Sequence, residues 1–217
     1  MRFLDRHDAG RRLAADLGHL TGDRPVVLAL PRGGVPVALE VARALGAPLD
    51  ILAVRKIGAP GNPELGVGAI TEDGTAVLDQ DLAARVGMTQ ELLDETVARE
   101  SAELRRRVEA YRDGRAAVDV RGRTVVIVDD GLATGLTDLA AVRACRARGA
   151  ARIVVAVPVG SHQAVELIGQ EADEVVCHSI PADLMGVGRW YEDFRPVSDA
   201  EVLAALAAVP DAAPVAP

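Results

Sequence analysis

The chain has 217 residues, with 24 Lys and Arg against 32 Asp and Glu, a formal net charge of −8. Its 49 % hydrophobic content is ample for one buried core and excludes wholesale disorder. An acidic balance with only 2 % aromatic residues argues against a nucleic-acid binder, which needs a basic footprint and stacking rings.

The first segment places Leu4, Leu13, Leu17 and Leu20 at near-helical intervals, which predicts an amphipathic helix closed near Gly18 or Gly22. Asp5 and Asp8 break its opening apolar run, so it cannot serve as the apolar stretch of a secretory leader. Pro25-VVLAL then reads as a strand buried on both faces. The turn PRGG follows, and a helix runs from Val35 to Leu45 before Gly46 ends it. Leu49-DILAV is a second buried strand, and the Gly/Pro-rich stretch RKIGAPGNPELGVG reads as a long loop. Val67–Ile70 and Ala76–Leu78 are short β-like pieces around a turn at Glu72–Gly74. From Thr89 to about Arg112, Leu93, Val97, Leu104, Val108 and Tyr111 form one stripe of a long exposed helix. Its Arg105–Arg107 run is interleaved with acids and reads as a solvated face.

The second half repeats a strand–turn–helix grammar. Thr124-VVIV, Arg152-IVVAV and Glu174-VVC are the strands, and Thr137 to Arg148 and Ser161 to Ile168 are the helices. Strands alternating with helices mean βαβ units and a mostly parallel sheet covered on both faces. Beyond Ser179 the rhythm changes: Trp190, Tyr191 and Phe194 cluster there, ahead of a last helix from Asp199 to Ala208. Cys145 and Cys177 are too far apart in sequence for a metal knuckle or redox pair and read as small core residues in a reducing cytosol. The histidines (His7, His19, His162, His178) show no metal spacing. No stretch approaches the ~18 apolar residues of a membrane span. The expectation is a cytoplasmic protein without membrane or nucleic-acid partners.

The most informative stretch is VVIVDDGLATGLT, from Val125 to Thr137. In a parallel sheet, ligands bind beyond the carboxyl ends of the strands, where Asp129 and Asp130 emerge. Gly131, Ala133 and Gly135 keep the backbone open, and Thr134 and Thr137 add hydroxyls where a helix begins. Such a loop can wrap amide groups around a phosphate. Leu136 stands where a nucleotide-triphosphate loop needs Lys, and there is no G-x-G-x-x-G for a dinucleotide. A terminal phosphate beside two carboxylates suggests a sugar phosphate, its vicinal hydroxyls donating to the acids.

Four apolar residues, two acids and a small-residue T-G-x-T loop resemble the phosphoribosyl-pyrophosphate (PRPP) motif of type I phosphoribosyltransferases. PRGGVPVA (Pro31–Ala38) is similar to that family's pyrophosphate loop. VRKIGAPGN (Val54–Asn62) is similar to its V-R-K segment, and the stretch from there to about Gly74 to its mobile catalytic loop. The likeness spans roughly Pro25 to Val176 and is closest to an uncharacterised bacterial group of predicted phosphoribosyltransferases. It implies an α/β fold with a parallel sheet flanked by helices, a C-terminal hood or flap and a long inserted helix. The boundaries expected are an N-terminal helix over 1–22, a core over 23–178 with an insertion at about 55–115, a hood over 179–209 and a frayed tail over 210–217.

The resemblance further implies transfer of the 5-phosphoribosyl group from PRPP to a nitrogen nucleophile, a nucleobase or related amine, with release of pyrophosphate. Gly131, Leu132, Ala133, Thr134, Gly135 and Thr137 would hold the 5′-phosphate. Arg32, Gly33 and Gly34, with Arg55 and Lys56, would face the pyrophosphate. Asp129 and Asp130 would fix the ribose hydroxyls, and Mg²⁺ would be held mainly by substrate, with the two acids acting indirectly. Ala133 stands where the 6-oxopurine enzymes carry an acid, which disfavours hypoxanthine and guanine. Glu64 and Glu72 are candidate proton acceptors. Trp190, Tyr191 and Phe194 are either a base-stacking hood or the packing core of a flap. The resemblance leaves a homodimer open. Two rivals stay in view: a non-catalytic PRPP- or nucleotide-sensing regulator on the same fold, and a sugar-phosphate enzyme of another class, such as a phosphorylase or pyrophosphokinase.

Overall fold

A computed structural model describes residues 2–115 and 117–209, the side chains of Pro63 and Glu64 excepted. In chain order the elements are α1 (Arg6–Asp16), β1 (Val26–Ala29), α2 (Gly34–Leu45), β2 (Leu49–Ile51), β3 (Val54–Ala59), β4 (Asn62–Thr71) and β5 (Ala76–Leu78). They continue with α3 (Gln80–Arg85), α4 (Gln90–Arg112), β6 (Thr124–Val128), α5 (Leu136–Ala147), β7 (Arg152–Val159), α6 (His162–Gly169), β8 (Glu174–Ser179) and α7 (Asp199–Ala207). The tail expected to fray, 210–217, lies outside the described residues.

Five strands form a parallel sheet in the order β2-β1-β6-β7-β8. Its strands are apolar without alternation because both faces are covered. Along β6, Val126 and Val128 turn to the face packed by α1, α2 and α7, while Val125 and Ile127 turn to the face packed by α5 and α6. The strand order places the carboxyl ends of β1 and β6 side by side, where Leu30 N–H donates to the Val128 carbonyl at 2.9 Å. The acid pair and the PRGG turn therefore share one edge.

The Gly/Pro-rich stretch departs from the expected loop. It is an antiparallel hairpin, β3 with β4, extended by β5 into a three-stranded sheet of its own. Gly68 sits inside β4 because a Cβ there would come within 2.3 Å of the Val77 carbonyl on the neighbouring strand. That close approach uses a residue type which sequence patterns read as a break. The short helix α3, capped by Asp79, is a second element beyond those expected. The long exposed helix is present as α4, with Ser101, Leu104 and Val108 buried and Thr89 as its cap.

The N-terminal segment meets the stretch between β8 and α7. Phe3 pairs with Tyr191 in a single parallel bridge, with Phe3 N–H donating to the Trp190 carbonyl at 2.8 Å and Glu192 N–H to the Phe3 carbonyl at 2.9 Å. Phe3, Ala9, Val159, Leu184 and Tyr191 form a small apolar cluster of their own. No described helix is long and apolar enough to cross a membrane.

Candidate active site

Asp129 and Asp130 follow directly on β6. The Asp130 N–H donates to Asp129 Oδ1 at 2.8 Å, which curls the turn back on itself. Asp130 Oδ2 accepts from both Arg6 Nε and Arg6 Nη2, each at 2.8 Å. The Tyr191 hydroxyl donates to the Asp130 carbonyl at 2.6 Å. The PRGG turn approaches from β1, with the Pro31–Arg32 peptide cis. A Cβ on Gly34 would fall 2.5 Å from the Val128 carbonyl, so the turn lies on the backbone that bears the acids.

The loop from Gly131 to Thr137 is anchored at one point. Leu132 is buried and bridges to Gly160, its N–H donating to the Val159 carbonyl and its own carbonyl accepting from Ser161 N–H. Its amide is thereby committed to the sheet, and the cradle falls to the residues after it. Ala133 and Thr134 are exposed, and Gly135, at φ +82°, starts α5 with no side-chain cap. Asp5, Asp79, Thr89, Ser161 and Ser198 each cap their own helices, α1, α3, α4, α6 and α7. The uncapped starts are those of α2 and α5, which face the acid pair. At α2 the first two amides are already used, Gly34 N–H by the Leu30 carbonyl at 3.0 Å and Val35 N–H by the Arg32 carbonyl at 3.2 Å, so the bare N–H groups that attract an anion are those at the start of α5.

The acids are crowded and partly shielded from water. Burial, followed by the charges of Asp130 and Asp138, pushes the Asp129 carboxyl well above the usual range. Burial also raises Asp130, opposed by the Arg6 guanidinium. Asp138, in the first turn of α5, is buried, and its pKa is pushed up to about 7, chiefly by that burial. Its Oδ1 has no hydrogen-bond partner. Arg6 and Asp138 are not among the residues that the sequence motifs point to. For Asp138 a signal exists, an acid in LTDLAAV, whose neighbours are small or apolar.

The expected cations do not all gather here. Arg32 leaves the PRGG turn to meet Asp199 of α7 at 3.4 Å, and the Tyr111 hydroxyl donates to the same carboxylate at 2.5 Å. Arg55 on β3 is held by Glu100 of α4 at 2.9 Å. Lys56 follows Arg55 in the strand, its stem lying over Gly66. A cavity of about 500 Å³, lined by Arg55, Lys56, Pro60, Met88, Thr96 and Glu100, opens between the hairpin and α4.

Glu72 stands apart from the acid pair. It is buried, its Oε2 accepts from Ala53 N–H, and its Oε1 is met by Arg112 and Arg148. Arg148 lies just past the end of α5, a helix ~18 Å long whose other end adjoins the acids. The Glu64 side chain lies outside the described residues. Of the aromatic trio, Tyr191 is packed against Phe3, while Phe194 is part-exposed and stacks under the Arg6 guanidinium, 3.9 Å from its ring centre. The Trp190 indole N–H donates to the Leu184 carbonyl. Tyr191 thus packs inward, while the part-exposed Phe194 lies with its ring against Arg6 and Tyr191.

The family model described as "Phosphoribosyl transferase domain" matches residues 4–188. Two curated proteins of Mycobacterium tuberculosis, from strains CDC 1551 and H37Rv, carry the name "Putative phosphoribosyl transferase". Each is 50 % identical to this chain over 204 residues, covering 94 % of this chain and 46 % of the relative, so the chain spans about half the length of those relatives. The crystal structure of TT1426 from Thermus thermophilus is 49 % identical, with a TM-score of 0.81 over 95 % of this chain and 98 % of that one.

Proposed function

The chain belongs to the phosphoribosyl transferase family, and on that premise we propose that it binds PRPP with Mg²⁺ and transfers the 5-phosphoribosyl group to a nitrogen nucleophile, releasing pyrophosphate. The observation that carries this reading is the shared edge: two carboxylates at the end of β6, each in contact with the Gly-Gly turn, and the uncapped start of α5 beyond them. A phosphate suits the amides of Ala133 to Thr137, and the ribose hydroxyls suit the acids. Leu132 supports that cradle as a sheet anchor, and Gly131 as the close approach beneath Val187.

Displacement at the anomeric carbon builds positive charge on the ribose ring and negative charge on pyrophosphate. Asp129 and Asp130 offset the first. Arg32, the Gly33–Gly34 turn, Arg55 and Lys56 are the groups proposed for the second, the Gly34 N–H being already given to the Leu30 carbonyl. Arg32 and Arg55 each have an acidic partner, Asp199 and Glu100, so pyrophosphate must compete for them. The hairpin that carries Arg55 and Lys56 is the element suited to move and to exclude water.

The donor set bears on the implied Mg²⁺. Among the described residues, no group of three or more His, Cys, Asp or Glu is placed to hold a metal. Two carboxylates, one with an oxygen already bonded to Arg6, fit a hard ion held mainly by substrate oxygens and water, with Asp129 and Asp130 acting indirectly. Bound there, Mg²⁺ supplies charge neutralisation to the leaving group.

The test is a screen of PRPP with Mg²⁺ against purines, pyrimidines and small amines, read as pyrophosphate release. Turnover with one class names the acceptor. Tight PRPP binding with no turnover identifies a sensor on the same fold. PRPP binding unchanged in Asp129→Asn plus Asp130→Asn would remove the site assignment.

A further inference from the structure

We propose that Arg6 is a positioning residue of this site: the guanidinium delivered by α1 fixes Asp130 so that one carboxylate oxygen is anchored and the other is presented to the sugar. This rests on the proposed role of Asp130 as a ribose-hydroxyl acceptor.

Arg6 opens α1, and Asp5 immediately before it caps the helix by accepting from Asp8 N–H at 2.7 Å. The backbone from which the side chain springs is thereby fixed. The Arg6 side chain is 10 % exposed and the Asp130 side chain 15 %. Both guanidinium contacts, Nε and Nη2 at 2.8 Å, fall on Oδ2. Nη1 turns away to the Arg195 carbonyl at 2.9 Å, and the guanidinium plane is backed by the Phe194 ring. Every donor of the fork that the contacts use is therefore assigned, and none of them takes Asp130 Oδ1. An anchored Oδ2 with Oδ1 left to another donor is the arrangement that a hydroxyl-accepting carboxylate requires.

Charge points the same way. Asp130 faces Asp129 from its own turn, Asp138 from α5, the Tyr191 phenol from the C-terminal stretch and Arg6 from α1. Arg6 is the cation set among these acids, and both of its contacts to Asp130 fall on the same oxygen. A lysine keeps the charge but cannot reproduce the fork or the flat stacking on Phe194.

The experiment uses the full chain with Arg6→Met, Arg6→Gln and Arg6→Lys. Thermal unfolding checks the fold, and calorimetry with Mg²⁺ at one pH measures affinity for PRPP, for ribose 5-phosphate and for pyrophosphate alone. With Arg6→Met, affinity for PRPP and ribose 5-phosphate falls about tenfold or more, while affinity for pyrophosphate, which has no hydroxyl for Asp130 to accept, holds within about twofold. Arg6→Gln, which keeps a donor for the Arg195 carbonyl, carries the same expectation if the methionine variant does not fold. Arg6→Lys, which keeps the charge without the fork, recovers only part of the loss. Unchanged PRPP affinity in the folded neutral variants overturns the proposal. So does a loss that is equal for all three ligands and tracks the drop in thermal stability. If the wild-type chain binds no PRPP, the functional reading fails, while an Asp130 ¹³C-carboxyl shift that is the same in wild type and Arg6→Met at that pH would still overturn the Arg6 contact itself.

Discussion

Gly33 lies directly against Asp130: a Cβ built on Gly33 would come within 2.1 Å of Asp130 Oδ2. The same oxygen takes both Arg6 contacts, so it has no free direction in which to retreat. Gly33→Ala is expected to push the carboxylate off Arg6 and to weaken PRPP binding at least tenfold, with a smaller change in melting temperature. Calorimetry beside thermal unfolding checks this, and full affinity in a folded Gly33→Ala chain counts against it.

Asp138 makes stability depend on pH. Its folded pKa is raised to about 7 by burial, whereas an unfolded Asp titrates near 3.9, roughly. The unfolded chain therefore loses this proton first, and stability declines as pH climbs from the unfolded value through the folded one. Asp138→Asn should flatten that decline and melt higher than wild type at pH 8, while matching it near pH 4. Thermal unfolding across pH 4–8 reads the difference, and a parallel loss of stability with pH in both proteins would refute it.

Arg55 is occupied by Glu100 across the hairpin–α4 cavity. The pair is partly exposed, so its worth is modest, about 1 kcal/mol or less. Glu100→Gln is expected to free Arg55 and to tighten pyrophosphate binding a few-fold, most clearly at low salt. Weaker or unchanged pyrophosphate competition would show that Arg55 does not reach that ligand.

Glu72, just past β4, ties the ends of α4 and α5 to the link between β2 and β3, through Arg112, Arg148 and the Ala53 N–H. Removing one partner of a buried ionic cluster costs about 3 kcal/mol, or roughly 10 °C for a chain of this size. Glu72→Gln should lower the melting temperature by that order and leave the pH profile of turnover in place. A changed profile with an intact melt would return Glu72 to the list of proton acceptors.

What could be read in the chain divides by the range of the signal. The runs around Val26, Val125 and Ile153 announced sheet strands because burial on both faces leaves no polar residue in them. VDDGLATG was legible for a related reason: the acids, the open turn and the helix start are neighbours in sequence. The β3–β4 hairpin was hidden by Gly58, Gly61, Gly66 and Gly68, which interrupt the alternation although strand contacts require at least Gly68. Arg6 was out of reach altogether. Its partner lies 124 residues away, and an arginine at the start of an amphipathic helix looks like any solvated charge. The aromatic trio stood midway: clustering marked the segment, but not that Tyr191 turns inward to Phe3 while Phe194 backs a cation.

The bare start of α5 has a consequence for how occupancy can be observed. A Ser, Thr or Asp cap contributes about 1 kcal/mol to a helix, and the chain supplies one to α1, α3, α4, α6 and α7 but forgoes it at this end. An anion that settles there satisfies the same amides from outside. Melting temperature should then rise with the logarithm of ligand concentration, so a thermal-shift titration with PRPP, pyrophosphate and ribose 5-phosphate would rank which parts of the substrate complete the fold before any acceptor is known.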